Sequence, residues 1–532
     1  IEDSLGGREP GTFHQEETPD SILGGAIRIA IKADTRKVTI QYATGPNAIA
    51  LQWLDASLTQ SGRLPCLFTQ SQSIYARSWI PCKDGPAIRF SYDARVQVHP
   101  DMIALMSADN PQTRIDSVIY HFKMDKPVPA YLMALAAGDF EFRAIGERTG
   151  VYADPLMLDK AAFEFADLEK MVLAAEALYG KYEWGRYDVI VLPTGFPFGG
   201  MENPKLTFLT PTVIAGDRSL TSLLAHELAH SWSGNLVTNT TWQDFWLNEG
   251  FTTYFESRIM ESLYGKDYAD MLSHLGWQDL RKTLAEMSAE PDLTRLKLDL
   301  WGQDPESALS DVAYEKGKLL LRYLEERLGR ERWDAFLKSY FSHFAFQSNS
   351  TEGFLAYLEK NVGPLPATIQ DTLKIWIYKP GLPEFKPSYS TLLFDRVDSL
   401  RSEFLKSQKL DPSLAQAWST HEWLHFLRAL PADQAGWIVP LLDRGHHLSQ
   451  TGNSEIAFVW IQYLIRSGLY PGHESTIRSF LTGGGRRKFV LPLYEALAQN
   501  GRLKEARAIF SEARKIYHPL TIHSIEKSLA QQ

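Results

Sequence analysis

Residues 220–250 read LTSLLAHELAHSWSGNLVTNTTWQDFWLNEG, and two short words inside them, HELAH at 226–230 and NEG at 248–250, decide how the chain is read. His226 and His230 stand four residues apart in a run free of helix breakers, with Asp217 and Ser219 available as start signals. At that spacing both imidazoles share one helical face and can approach a single Zn²⁺ at about 2.0–2.1 Å, with Glu227 turned toward a water beside it. Alone, the motif reads equally well as two solvated or core histidines around a surface glutamate. A hydrolytic zinc site needs a third protein ligand and one open position. Glu249, nineteen positions beyond His230, offers a carboxylate on a second helix that returns to the metal. Co²⁺ or Mn²⁺ also suits an N/N/O donor set, although Zn²⁺ is its usual occupant.

The chain contains its own control, a second H-E-x-x-H at His421-Glu422-Trp423-Leu424-His425. Pro431 and Pro440 follow it with no Asn-Glu-Gly helix start, and Asp443, His446 and His447 form no ligand pattern, so this copy reads as structural. Upstream of the first copy, the apolar stretch Val189 to Leu192 leads to Gly199-Gly200-Met201-Glu202-Asn203. Glycines admit a close backbone, so an extended peptide can add there as a strand while Glu202 holds its α-amino group. In isolation the same residues are an ordinary glycine turn.

Around these motifs the organisation is α+β and multidomain. The length of 532 residues exceeds one core and predicts two to four domains. Apolar alternation at Ile27, Ile29 and Ile31, then Val38, Ile40 and Tyr42, predicts half-buried strands and a β-rich N-terminal domain over 1–139. Helical periodicity at 161–179, 220–232, 250–263 and 314–328 predicts a mainly helical catalytic domain over 140–378. The run Lys379-Pro380-Gly381-Leu382-Pro383 opens a Pro-rich linker over 379–391, and amphipathic patterns beyond it predict an α-helical C-terminal domain over 392–532.

A formal charge of −9 without dense Lys/Arg runs argues against nucleic acid, and no apolar run is long enough to insert in a membrane. The expectation is a soluble, cytoplasmic protein, with secretion or a periplasmic location left open, as is the oligomeric state. Two cysteines, Cys66 and Cys82, exclude a disulfide framework and read most simply as reduced thiols.

Taken in order, GGMEN (199–203), HELAH (226–230) and NEG (248–250) resemble the signature of the gluzincin zinc aminopeptidases. The double glycine, GNLVTN (234–239) and WLNEG look most like the branch containing leukotriene-A(4) hydrolase and aminopeptidase B, and the likeness runs from about Leu51 to Pro519. It implies a β-rich N-terminal domain that here begins after the family's first strands, a thermolysin-like catalytic domain and an α-helical C-terminal domain. It further implies one Zn²⁺ held by His226, His230 and Glu249, with Glu227 as general base and Tyr314, in AYEKG, as the oxyanion donor. Gly199, Gly200, Met201 and Glu202 would bind the peptide and its N-terminus, Gln70 and Gln72 would line the substrate, and Arg486 and Lys488 would take its C-terminal carboxylate. Glu256, seven residues after Glu249, is the expected partner of a histidine ligand.

The implied reaction is removal of single N-terminal residues from short peptides. Lipid-epoxide hydrolysis and non-catalytic peptide binding are the alternatives. Where the branch has an Asp and a Tyr ahead of the catalytic tyrosine, this chain has Glu306 and Leu309. That departure predicts weak or absent epoxide hydrolysis, and a preference for basic N-terminal residues through Glu306.

Overall fold

The computed structural model describes residues 1–385, 387–390, 392–409 and 418–531. Four antiparallel strands, in the order Leu51–Leu54, Cys66–Thr69, Leu135–Gly138 and Ile103–Met106, form the N-terminal sheet, beside a long ribbon of Arg89–Gln97 with Ile119–Pro129. Asp139 and Phe140 then lead into a second sheet of Glu141–Ala144, Thr149–Ala153, Tyr187–Val191, Leu206–Leu209 and Gly200–Met201, in that order. Its middle strands are parallel and buried throughout, which explains their unbroken apolar sequence. Gly200–Met201 lies antiparallel at the edge, pairing Gly200 with Leu209 and Met201 with Phe208.

The alternation at 27–42 does not become a half-buried sheet. Only Ile27–Ile29 and Thr35–Lys37 are strands, each in a two-stranded ribbon, and Ile31, Val38, Ile40 and Tyr42 are exposed. Alternation needs a second layer to become burial, and these ribbons have none beneath them. Most buried apolar residues from Leu54 to Ile377 form one continuous core shared by the N-terminal sheet and the helices after it. The connector carries no helix or strand between Tyr378 and Leu392 among its described residues, with Lys386 and Thr391 outside them. Beyond it, helices from Leu392–Ser407 to Pro519–Ala530 pack around two smaller cores. Both cysteines are free. Among the described residues no helix is long and apolar enough to cross a membrane.

Two helices set the site. Ser222–Ala229 carries HELAH, and Trp246–Tyr264 carries Glu249 and Glu256. The second is buried nearly all round by aromatic packing, with Phe251 meeting Tyr340, Phe341 and Phe354 at centroid distances of 5.9, 5.8 and 5.4 Å. It crosses Gly317–Leu328 with backbones almost touching: a Cβ added at Gly317 would lie 2.7 Å from the Cα of Gly250. A Gly317→Ala substitution therefore forces apart the helices bearing Glu249 and leading from Tyr314. It is expected to cost about 1–3 kcal/mol, read as a lower urea midpoint at unchanged m-value.

Candidate active site

In the HELAH helix, His226 and His230 project from one face with ring centroids 4.9 Å apart and planes at 82°. Their Nε2 atoms lie 3.3 and 3.4 Å from the same atom, Oε2 of Glu249. Each ring is held from behind. His226 Nδ1 sits 3.1 Å from Glu256 Oε2, and His230 Nδ1 lies 3.0 Å from both the Ser233 carbonyl and Thr252 Oγ1. These partners fix the rings so that both Nε2 atoms face the common centre. Ser233 is in turn tied to the Glu249 helix, with Oγ 2.8 Å from the carbonyl oxygens of Leu247 and Asn248. Glu256 stands where the sequence placed it, whereas Thr252 and Ser233 escaped notice, since a threonine and a main-chain carbonyl carry no metal signature.

Two nitrogens and one carboxylate oxygen fit a divalent ion of the zinc type. Glu249 Oε2 is buried without a hydrogen-bond partner, which suits an oxygen whose partner is a metal. Burial opposes ionisation of Glu249, yet His230 and His226 hold its carboxyl below the usual range. A second cluster, Glu202, Glu227 and His230, adjoins the first, with single ligand atoms all within 4.8 Å of one another. Burial pushes Glu227 up to about 8 against the pull of His226 and His230, which gives it the proton affinity of a base working near neutral pH.

The GGMEN segment explains its own composition. A Cβ at Gly200 would lie 2.2 Å from Glu227 Oε1, and one at Gly199 would lie 2.9 Å from Arg486 Nη2. Only glycine lets the edge strand run this close to the two charged groups. Glu202 follows on that strand, 3% exposed, with Oε1 unpartnered and its main-chain carbonyl accepting from Asn235 Nδ2 at 2.7 Å. Tyr314 lies in a π-helical turn, Val312–Lys316, with its ring parallel to His226 at 5.9 Å and 15°. Burial and the Glu249 carboxylate push its phenol well up, so it stays protonated as a donor. Tyr131, close to Glu202 and Glu249 and 3.4 Å from Asn248 Nδ2, was not anticipated.

A cavity of about 610 Å³ joins these groups. Gln72 lines it, whereas Gln70 supports it from behind through Nε2 to Met201 Sδ at 3.2 Å. Arg486 and Lys488 reach it from the C-terminal domain, and both meet Glu455 at 3.2–3.4 Å, an acid the sequence did not single out. Glu306 is not brought into this cavity. It lines a neighbouring one, accepts from Ser73 Oγ at 2.9 Å and pairs with Arg487 Nη1 at 3.3 Å, so its charge is already matched. The carboxylate expected to draw a basic side chain is thus paired with Arg487 and lies outside the catalytic cavity. Leu309 does line the catalytic cavity.

The histidine partners give a direct expectation. Glu256→Gln keeps the shape but weakens the acceptor behind His226, and zinc affinity is expected to fall by about 10- to 100-fold in chelator competition while thermal unfolding of the metal-free protein hardly moves.

Comparisons with known proteins agree with this arrangement. Residues 163–376 match the peptidase family M1 domain, 20–132 the peptidase M1 N-terminal domain, and 418–529 the leukotriene A4 hydrolase C-terminal domain. Leukotriene A-4 hydrolase of Xenopus laevis is 39% identical over 508 residues, covering 92% of this chain and 83% of its own length. Leucine aminopeptidase 2 of Yarrowia lipolytica is 36% identical over 535 residues, covering 96% and 82%. The structure of yeast LTA4 hydrolase in complex with bestatin superposes with a TM-score of 0.89 at 31% identity, over 98% of this chain and 87% of that one. By sequence, three-domain architecture and the geometry of its buried histidines and carboxylates, this chain belongs to peptidase family M1.

Proposed function

We propose that the chain is a zinc aminopeptidase that removes single residues from the N-termini of short peptides. The observation that carries this reading is the position of Glu202, a buried residue immediately after the edge strand Gly200–Met201, with Oε1 unpartnered and a carboxylate oxygen within 4.8 Å of ligand atoms of Glu227 and His230. A peptide added to that edge would place its α-ammonium on Glu202 and its first carbonyl between Glu227 and Tyr314. An internal segment of a peptide has no charge to offer Glu202, so endopeptidase activity is disfavoured.

His226, His230 and Glu249 would hold a zinc ion, which would supply Lewis acidity to carbonyl and water. Glu227 takes the proton of the attacking water and delivers it to the leaving amine. The Tyr314 hydroxyl donates to the developing oxyanion, and its raised pKa keeps that proton in place through the working range. Gly199 and Gly200 present main chain to the peptide, and Arg486 and Lys488, which share the Glu455 carboxylate, offer cationic groups to its far end.

With Glu306 neutralised by Arg487, the first side chain of the substrate meets no free carboxylate from that residue, and we assign a preference for neutral, apolar N-terminal residues. The leucine aminopeptidase name of the Yarrowia relative points the same way. Leu309 offers an aliphatic wall without a hydroxyl, and lipid-epoxide hydrolysis is not proposed. The same reading divides the chain at 139/140 and at the 379–391 connector.

Tripeptide hydrolysis by metal-loaded protein tests the proposal. Glu227→Gln is expected to lower kcat by about 10²- to 10⁴-fold with zinc stoichiometry retained, and chelation is expected to abolish turnover. Acetylating the peptide N-terminus is expected to remove activity. Equal cleavage of the acetylated peptide would defeat the Glu202 assignment.

A further inference from the structure

The second H-E-x-x-H is only partly explained by structural duty. Ser419 and Glu422 form a reciprocal capping box at the start of the helix Thr420–Arg428, which accounts for the glutamate. His425 bonds Asp398 Oδ1 at 2.8 Å and stacks on Phe394 at 4.0 Å, which accounts for the second histidine. His421 has no such occupation. It is 6% exposed, lines the catalytic cavity, touches the Tyr268 ring edge-on at 6.0 Å, and has a buried Nδ1 with no partner.

Burial lowers the pKa of His421 to about 4, so the ring is neutral and carries a single N–H. A buried N–H left unpaired costs more than an unpaired acceptor, which places the proton on Nε2, the nitrogen that is not enclosed. The charged groups acting on the ring are Glu455, Asp217, Glu256 and Lys488, and the ring lines the same cavity as Arg486 and Lys488. There Arg486 and Lys488 both pair with one carboxylate, Glu455, and Asp311 lines the cavity beside them.

We propose that His421 binds the leaving portion of the substrate, donating a hydrogen bond from Nε2 to the peptide's terminal carboxylate beside Arg486 and Lys488. This rests on the aminopeptidase reading and adds to it a neutral donor whose contribution does not change with pH near neutrality.

The test is calorimetric binding of a tripeptide and of its C-terminal amide to zinc-loaded Glu227→Gln protein, with and without His421→Phe. The phenylalanine variant is expected to weaken the free acid about tenfold more than the amide, and His421→Gln, which keeps a donor, is expected to recover part of the difference. Equal weakening of acid and amide, or no weakening of either, would overturn the proposal. Turnover is not needed for this measurement, so a chain that binds tripeptides but cleaves none would refute the aminopeptidase reading while leaving the His421 result readable.

Discussion

Four carboxylates, those of Glu202, Glu227, Glu249 and Glu256, converge with two imidazoles in one buried region, and the architecture around them is arranged to keep them there. Placing like charges in a region of low polarity is unfavourable by several kcal/mol for each uncompensated ion. Part of the compensation comes from the two imidazoles, and the packing around the cluster holds its members in place. Aromatic packing grips the Glu249 helix on nearly all sides, and the glycine-to-glycine crossing locks it to the helix that continues from Tyr314. His226, His230 and Glu249 could hold a divalent cation, which would supply the charge that this set calls for.

The three domains meet in that economy of charge. The N-terminal domain brings Gln72 to the wall and Ser73 to Glu306, the catalytic domain brings the ligands and base, and the C-terminal domain brings Arg486, Lys488 and His421. Main-chain hydrogen bonds seat the basic loop on the loop that follows the strand Tyr187–Val191 of the catalytic sheet, from Gly485 N to Thr194 O and from Arg487 N to Pro197 O, both at 2.8 Å. Gln52 reaches from the first sheet to the carbonyl of Ile516 at 2.9 Å. The cavity is thus closed by segments more than 400 residues apart in the chain.

Much of this was legible in the sequence because it is local or periodic. Spacing of four placed His226 and His230 on one helical face, spacing of seven placed Glu256 on the face of Glu249, and two glycines marked a close backbone approach that proves to be directed at Glu227 and Arg486. Ser419-x-x-Glu422 was equally local, and would have shown at once why the second motif has its glutamate. What stayed hidden depends on partners distant in sequence. The pairing of Glu306 with Arg487 spans 181 positions, and no pattern along the chain announces it. Glu455 became visible only when the folded C-terminal domain placed it under two cations. The apolar alternation at 27–42 misled because periodicity reports a strand's two faces and says nothing about whether a second layer covers either one.

The π-helical turn at Val312–Lys316 has a consequence of another kind. In an ordinary helix each residue advances the side-chain direction by about 100°, whereas a π turn takes up one residue more before the next helix resumes its track. The direction of the Tyr314 ring over His226 is therefore set by a residue count, independent of any bond the hydroxyl makes. Side chains in this turn can be exchanged without disturbing that count, but loss of a single residue would swing the phenol to another face of the helix. The oxyanion donor is in this sense encoded by the number of residues in the turn as well as by their identity.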